Sequence, residues 1–246
     1  MTRLLVVGGS GLVGRTTLPG LMERYDVRVL DLQPPAIDRA VDFVSGDATD
    51  YQAVAGAARG CDGLLYLAMG PKAGWESGPE WTALQFDVNV KGLYQSLTAA
   101  FDAGCSRAAV AGSMSVYADY LAPEAERPVP DADDVYGLTK RLGEQVAQSI
   151  ARSRQRPVVA LRLVGPMSDE DWQEFRGPHQ NVMTAASDVA RAFAAALKYT
   201  PPAFFDTFVV TGDHASTSLD WSRSRDLLGW APLARRKRQR ISDAEH

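Results

Sequence analysis

Tyr136-Gly137-Leu138-Thr139-Lys140 sets a phenol and an ammonium four residues apart, at the start of an expected helix. On a helix that spacing turns both side chains to one face. A free tyrosine, with a pKa of ~10, is too weak an acid to exchange protons readily at neutral pH. A neighbouring ammonium stabilises the phenolate and lowers that value, which would bring Tyr136 into the range of an acid/base catalyst. A surface tyrosine lying on a lysine stem has the same spacing, so the pair needs company. Upstream, Ala111-Gly112-Ser113-Met114-Ser115-Val116-Tyr117 closes an expected strand. Ser113 at its end could hydrogen-bond the substrate oxygen that gains or loses a proton, with Met114 beside it. A turn-capping role is its plain alternative, and Ser115 competes for the same place. Asn89, a poor helix former in the middle of an expected helix, could bridge a water to the Lys140 amine.

A second constellation suits a dinucleotide. The first expected strand runs into Gly8-Gly9-Ser10-Gly11-Leu12-Val13-Gly14 and then into a helix. Gly8, Gly11 and Gly14 permit a tight turn, close approach of a pyrophosphate and close strand–helix contact. Leu12 and Val13 then open a helix whose free N–H groups favour anions. Asp31 ends the second strand, 17 residues beyond Gly14, where a carboxylate accepts hydrogen bonds from ribose hydroxyls. It would repel a 2′-phosphate, and Leu32-Gln33 supply no arginine, so NAD is favoured over NADP unless Arg39 folds back toward the ribose. Asp47 and Ala48, just after the third strand, are placed to reach the adenine. For Asp47 an ordinary turn role competes.

Short β-branched runs alternating with amphipathic stretches position these groups, the pattern of a parallel sheet with crossover helices. Strands are expected over 3–7, 27–30, 42–44, 63–68, 107–112, 158–163 and 207–210, and helices over 12–24, 51–58, 81–103, 134–152 and 187–198. Asp134 and Ser187 are the expected N-caps. The fold class is α/β, a Rossmann-type doubly wound parallel sheet forming one domain over 1–246, with small substrate-binding segments at 165–186 and 212–246. Three long loops follow strand ends: 70–80 with Trp75, 118–133 with Pro123, Pro128 and Pro130, and 165–181. In an open α/β sheet that edge is where ligands bind, so these loops are candidate walls of the site.

Together these residues resemble the extended short-chain dehydrogenases/reductases, the NAD-dependent epimerase/dehydratase group. The resemblance rests on Gly8, Gly11, Gly14, Asp31, Asp47, Leu67-Ala68, Asn89-Val90-Lys91-Gly92, Ser113, Val116-Tyr117, Tyr136, Lys140 and Leu161-Arg162. It implies Tyr136 as acid/base, with Lys140 lowering its pKa and holding the nicotinamide ribose. It further implies Ser113 orienting the substrate oxygen, Asn89 supporting a proton relay, and Leu67 and Ala68 against the cofactor. A homodimer through helices 81–103 and 134–152 is implied in the same way. Val7, Met69 and Ala118 depart from the group's usual residues. Dehydration is disfavoured because Met114 and Ser115 stand where dehydratases carry Asp-Glu. Only 106 residues follow Lys140, too few for a nucleotide-sugar lid, so a small substrate is expected. The chain is most similar to short uronate dehydrogenases, sharing the run 89–94, Trp221-Ser222-Arg223-Ser224 and Leu227-Leu228-Gly229-Trp230-Ala231-Pro232. In that subgroup Phe175-Arg176 would correspond to a Tyr-Arg whose arginine grips a carboxylate. A surface arginine balancing Asp169, Glu170, Asp171 and Glu174 fits Arg176 equally. The leading expectation is therefore an NAD-dependent oxidoreductase on a small sugar-like, uronate-type substrate. An epimerase holding its cofactor through turnover, and a non-catalytic dinucleotide-binding protein, are the alternatives.

Composition narrows the field further. The chain has 246 residues, with 46% hydrophobic and 23% charged, an ordinary globular balance. A net charge of −4 gives no reason to expect nucleic acid as a partner. Two cysteines, Cys61 and Cys105, cannot make a disulfide framework or a four-ligand zinc site and suggest a reducing compartment. No charged-then-apolar leader and no long apolar run occur, so a cytoplasmic protein without membrane association is expected. His179, His214 and His246 are scattered, and no metal site is expected. The basic run 235–240 reads as a solvated, frayed terminus.

Overall fold

Leu4, Leu5, Val6 and Val7 of the first strand are all buried, yet they serve two different cores: Leu4 and Val6 face one and Leu5 and Val7 the other. Alternate side chains of a strand point to opposite faces, so an unbroken apolar run marks a strand covered on both sides. The computed structural model, which describes residues 2–75, 77–121 and 129–237, places that strand near the middle of a seven-stranded parallel sheet. Its strands are β1 (Arg3–Val7), β2 (Asp26–Asp31), β3 (Asp42–Ser45), β4 (Gly63–Tyr66), β5 (Arg107–Ser113), β6 (Val158–Leu163) and, last in the chain, β9 (Phe205–Val210). They lie in the order β3-β2-β1-β4-β5-β6-β9. Helices α1 (Leu12–Met22) and α7 (Ala186–Ala196) cover one face with Leu18, Leu21, Val189 and Phe193. On the other lie α2 (Tyr51–Ala58), α4 (Leu93–Asp102) and α5 (Val135–Arg154), which bury Val54, Leu97, Ala147 and Ile150. The winding reverses between β1 and β4, so the carboxyl ends of these strands open on the crevice where such sheets bind ligands.

The expected strands all form, and three of the other expectations need correction. The helix expected over 81–103 is divided into α3 (Pro79–Phe86), a π-helical turn at Asp87–Gly92, and α4. Tyr66 of β4 donates its phenol to the Val88 carbonyl at 2.6 Å inside that turn. Turns of this kind are frequent at functional sites. Ser187 does not cap its helix: Ala185 holds the cap position, and the Ser187 N–H is bonded at 3.0 Å by the Asp169 carboxylate. That cap comes from a tertiary contact that the local sequence does not contain. Asp134 does cap α5, accepting from the Gly137 N–H at 2.9 Å.

The third correction concerns the basic tail. Between β6 and β9 the chain forms a second, two-stranded sheet of β7 (Pro166–Met167) and β8 (Thr184–Ala185), flanked by α6 (Asp169–Glu174). After α8 (Ser222–Leu228), residues 229–237 return across this region as a packed strap. Asp188, only 2% exposed, pairs with Arg191 and accepts from the N–H groups of Leu233 and Ala234 at 3.0–3.3 Å. Trp230 donates to the Asp188 carbonyl at 3.0 Å. The Arg236 guanidinium lies 4.5 Å from the Trp172 ring centre and donates to the Phe175 and Gln180 carbonyls, each at 3.0 Å. Arg236 is thus held down by a ring face and carbonyls, which offset the solvation its charge loses, while Arg235 and Lys237 stay exposed, as expected of a solvated run. Pro123, Pro128, residues 238–240 and His246 lie outside the described residues. Among the described residues no helix is long and apolar enough to cross a membrane.

Removing a buried carboxylate strands its partners. Asp188→Ala leaves Arg191 and two backbone donors without their acceptor, and a loss of about 3 kcal/mol in unfolding free energy is expected. Urea unfolding, with midpoint and slope compared against the parent, measures it.

Candidate active site

The glycine turn is closed by sterics. Gly8 has φ +84°, and a Cβ there would stand 2.2 Å from the Ala68 nitrogen beyond β4. A Cβ on Gly14 would stand 2.3 Å from the Gly9 carbonyl oxygen. No side chain larger than hydrogen fits either place, so β1, the start of α1 and the end of β4 meet in a cradle. Gly11 is different. It is exposed at the α1 N-cap, and a Cβ there would meet only the Gly8 oxygen at 3.5 Å, an ordinary contact. No side chain caps α1 and no acid occupies its first turn, so exposed Leu12 and half-buried Val13 begin a helix end suited to phosphate.

Asp31 stands at the carboxyl end of β2 and is tied to this turn, with one carboxylate oxygen accepting from the Ser10 N–H at 2.8 Å and the other from Leu32 at 2.7 Å. Each oxygen keeps a further lone pair for a ribose hydroxyl. Asp47 is exposed, and its side chain closes a turn on the Thr49 N–H and hydroxyl at 2.8 and 2.9 Å. That is the turn role weighed against adenine binding. Buried Ala48 accepts from Ser96 at 3.1 Å. Leu67, also buried, extends β4 by a bond from its N–H to the Val7 carbonyl at 2.8 Å, and Ala68 follows against Gly8.

At the end of β5, Ser113 does two jobs. It caps the short helical turn Met114–Val116 by accepting from the Ser115 N–H at 3.1 Å, and it hydrogen-bonds the Tyr136 phenol. Helix α5 comes this close because Gly137 has no side chain; a Cβ there would lie 2.3 Å from the Ser115 oxygen. Lys140, one turn on, donates to the Ala111 carbonyl of β5 at 3.2 Å and sits 5.7 Å from the Tyr136 ring centre. Burial governs both groups, in opposite directions. It pushes the Tyr136 phenol up, a rise that the Ser113 bond opposes and Asp134 reinforces. It brings the Lys140 amine down to about 8, against the attraction of Glu144. The expected lowering of the Tyr136 pKa by Lys140 is therefore not what the protein groups alone produce: desolvation is the largest influence, and Ser113 is the group that opposes it.

Asn89 is 3% exposed and its side chain is fully engaged. Its amide donates to Gln85 at 3.0 Å and Thr139 at 2.9 Å, and its oxygen accepts from Gly70 at 3.2 Å. It fastens the loop after β4 to α5. Its carbonyl oxygen faces α5 at Gly143, where a Cβ would come within 3.2 Å. Met114 is buried in an apolar cluster with Val116, Tyr117, Val164, Val182 and Leu219. Arg176 is exposed and donates to the Gln173 and Phe175 carbonyls at 2.7 and 2.9 Å, capping the end of α6. Among the described residues it makes no ion pair with Asp169, Glu170, Asp171 or Glu174. His179 is exposed.

Two features escape sequence reasoning. Arg162 of β6 forks onto Glu144 at 2.7 and 2.8 Å and donates to the Tyr117 hydroxyl at 2.7 Å, a charged cluster one turn beyond Lys140. Trp75, from the loop after β4, packs against Tyr136 with ring centres 5.1 Å apart. A tryptophan in a long loop at a strand's carboxyl end was its only sequence signal. Two open grooves, of about 660 Å³ beside Arg24, Arg191 and Lys198 and about 310 Å³ beside Glu144 and Arg162, are lined by neither the glycine turn nor Ser113, Tyr136 and Lys140.

A parallel sheet in this order, a glycine cradle at its switch point and a Ser–Tyr–Lys cluster beside it define a class of dinucleotide-dependent enzymes. The model of the NAD-dependent epimerase/dehydratase family matches residues 4–226, and the chain belongs to that family. It is 27% identical over 256 residues to the NAD-dependent glucose-6-phosphate dehydrogenase of Haloferax volcanii, covering 93% of this chain and 92% of that protein. With the uronate dehydrogenase of Agrobacterium fabrum it shares 33% identity over 154 residues, 60% of this chain and 55% of that one. A short-chain dehydrogenase/reductase superfamily protein from Agrobacterium tumefaciens, solved with bound NAD, has the same fold: TM-score 0.78 at 22% identity, covering 95% of this chain and 93% of that one.

The buried amine carries a pH signature. Below about pH 8 folded and unfolded chains both hold the Lys140 proton, and between about 8 and 10.5 the unfolded chain alone holds it. This group's contribution to stability therefore rises with pH across that window. Lys140→Met is expected to unfold at a higher temperature than the parent at pH 7, with the gap narrowing toward pH 10; thermal unfolding followed by circular dichroism reads it.

Proposed function

We propose that the protein is an NAD-dependent oxidoreductase that interconverts a hydroxyl and a carbonyl on a small sugar-like molecule. The observation that carries this reading is the meeting of Ser113 and Tyr136 at the carboxyl end of β5, with half-buried Lys140 one turn further along the same helix, its amine on the Ala111 carbonyl. The cradle of Gly8 and Gly14, which any Cβ would fill, fits a pyrophosphate, and Asp31 fits the ribose hydroxyls of NAD and repels the 2′-phosphate of NADP. When bound, NAD supplies the hydride acceptor or donor and, in its oxidised form, a positive ring charge.

Ser113 orients the substrate oxygen by hydrogen bonding. Tyr136 holds the proton that this oxygen gains on reduction and takes it back on oxidation. With its pKa raised by burial, the phenol is protonated at neutral pH, ready as an acid; service as a base calls for positive charge beside it. Lys140 provides such a charge below about pH 8 and offers its amine to the nicotinamide ribose. Trp75 packs on the Tyr136 ring and shields part of one side of it. Asn89 acts as a positioning residue through Thr139 and Gln85. Met114 and Ser115, where dehydration would need a second acid/base pair, disfavour that chemistry.

Segments 165–186 and 212–237 form the substrate side. A uronate would require Arg176 to exchange the Gln173 and Phe175 carbonyls for a carboxylate. The protein works in the cytoplasm, consistent with two free, buried thiols at Cys61 and Cys105. It assembles as a homodimer through α4 and α5, where Tyr94 is 52% exposed.

Incubation with NAD and a panel of aldoses, uronates and polyols should release NADH. Tyr136→Phe should lower kcat by about 10²-fold or more, while its NAD dissociation constant stays close to the parent's. Isomerised product without NADH would establish an epimerase instead, and an active Tyr136→Phe would sink the assignment.

A further inference from the structure

Trp75 is placed unlike the other aromatic residues of its neighbourhood. Trp81 beside it is 4% exposed, whereas Trp75 leaves 44% of its surface open although its ring packs on Tyr136. The two indoles are 5.3 Å apart, centre to centre, tilted by 57°. The placement is held from below. Trp81 donates its indole N–H to the Pro71 carbonyl at 2.8 Å, and Gln85, fully buried, donates to the same oxygen at 3.0 Å. Gln85 accepts from Asn89, Asn89 donates to Thr139, and Thr139 donates to the carbonyl of Tyr136 itself at 2.8 Å. A continuous line of buried hydrogen bonds thus fixes the loop to the helix turn that bears the phenol.

Such anchoring is more than a loop needs in order to cover a core, because the ring it presents covers little. An indole face is broad, flat and electron-rich, and is matched by the weakly positive C–H groups along one face of a saturated ring. A rigid ring meets it with several C–H groups at once. An open chain must first freeze its rotors, an entropic cost that offsets the contact. From these observations, and resting on the oxidoreductase reading above, we infer that Trp75 is the specificity-determining platform of the site: the reacting carbinol belongs to a pyranose-like ring whose C–H face stacks on the indole, and open-chain polyols and hydroxy acids are poor substrates.

Binding tests this apart from turnover. In the unreactive Tyr136→Phe background with saturating NAD, calorimetric titration with D-glucose and D-glucuronate is compared with D-glucitol and D-gluconate. At least one ring should bind 10-fold or more tightly than its open-chain counterpart. Trp75→Ala should erase that preference, Trp75→Phe should restore most of it, and neither should change NAD affinity more than about twofold. Equal binding of ring and chain, no binding of either ring, or a preference that survives Trp75→Ala overturns the platform. Failure of the oxidoreductase reading looks different: rings bind with the Trp75 dependence described, yet the parent produces no NADH from them.

Discussion

Everything at the site depends on how near α5 comes to the end of β5. A hydrogen in place of a side chain at Gly137 allows the helix to rest against the Ser115 carbonyl. That contact lets a strand residue and a helix residue, Ser113 and Tyr136, hydrogen-bond across the junction of two elements. It also sinks Lys140 until its amine reaches the Ala111 carbonyl within the sheet. The sheet supplies the floor for this contact: β5 is interior, flanked by β4 and β6, and its small residues Ala108, Ala109 and Ala111 leave room for helices on both faces.

The same closeness has an electrostatic price. A medium of low polarity disfavours every charge, so it raises the phenol and lowers the amine, and both move toward neutrality. Within the protein alone the two groups do not form an ion pair; they form a poised, largely desolvated couple whose balance an added positive charge can tip. Functional groups held in this way commonly cost stability, and Lys140 is such a group. Its neighbour Glu144 is committed to Arg162, which leaves the amine with a backbone carbonyl as its hydrogen-bond acceptor.

Much of this was legible in the sequence. The strands could be read because apolar runs covered on both faces have no other economical solution, and the glycine turn because Gly8 and Gly14 have no sterically possible substitutes. What escaped was set by contacts distant in sequence. The helix expected over 81–103 gives way to a π turn where Tyr66, 22 residues away, takes the Val88 carbonyl. Ser187 looked like a cap because capping was judged locally, whereas Asp169 supplies the bond. Asn89 stands out in the sequence as a poor helix former, but its bonds to Gln85 and Thr139 come from residues whose meeting the local pattern does not show. The fate of Arg176 turned on the carbonyls at the end of α6, a short helix not foreseen.

The strap that closes the chain has an architectural corollary. Asp188 clasps residues 233 and 234 from the base of α7, while Arg236 reaches over Trp172 to the segment after β6. Two stretches far apart in sequence are thereby cross-braced beside a dinucleotide half built almost wholly from the first 163 residues. Changes within the strap, residues 229–237, can thus shift how the segments after β6 and β9 brace one another while the sheet and its glycine turn stay as they are.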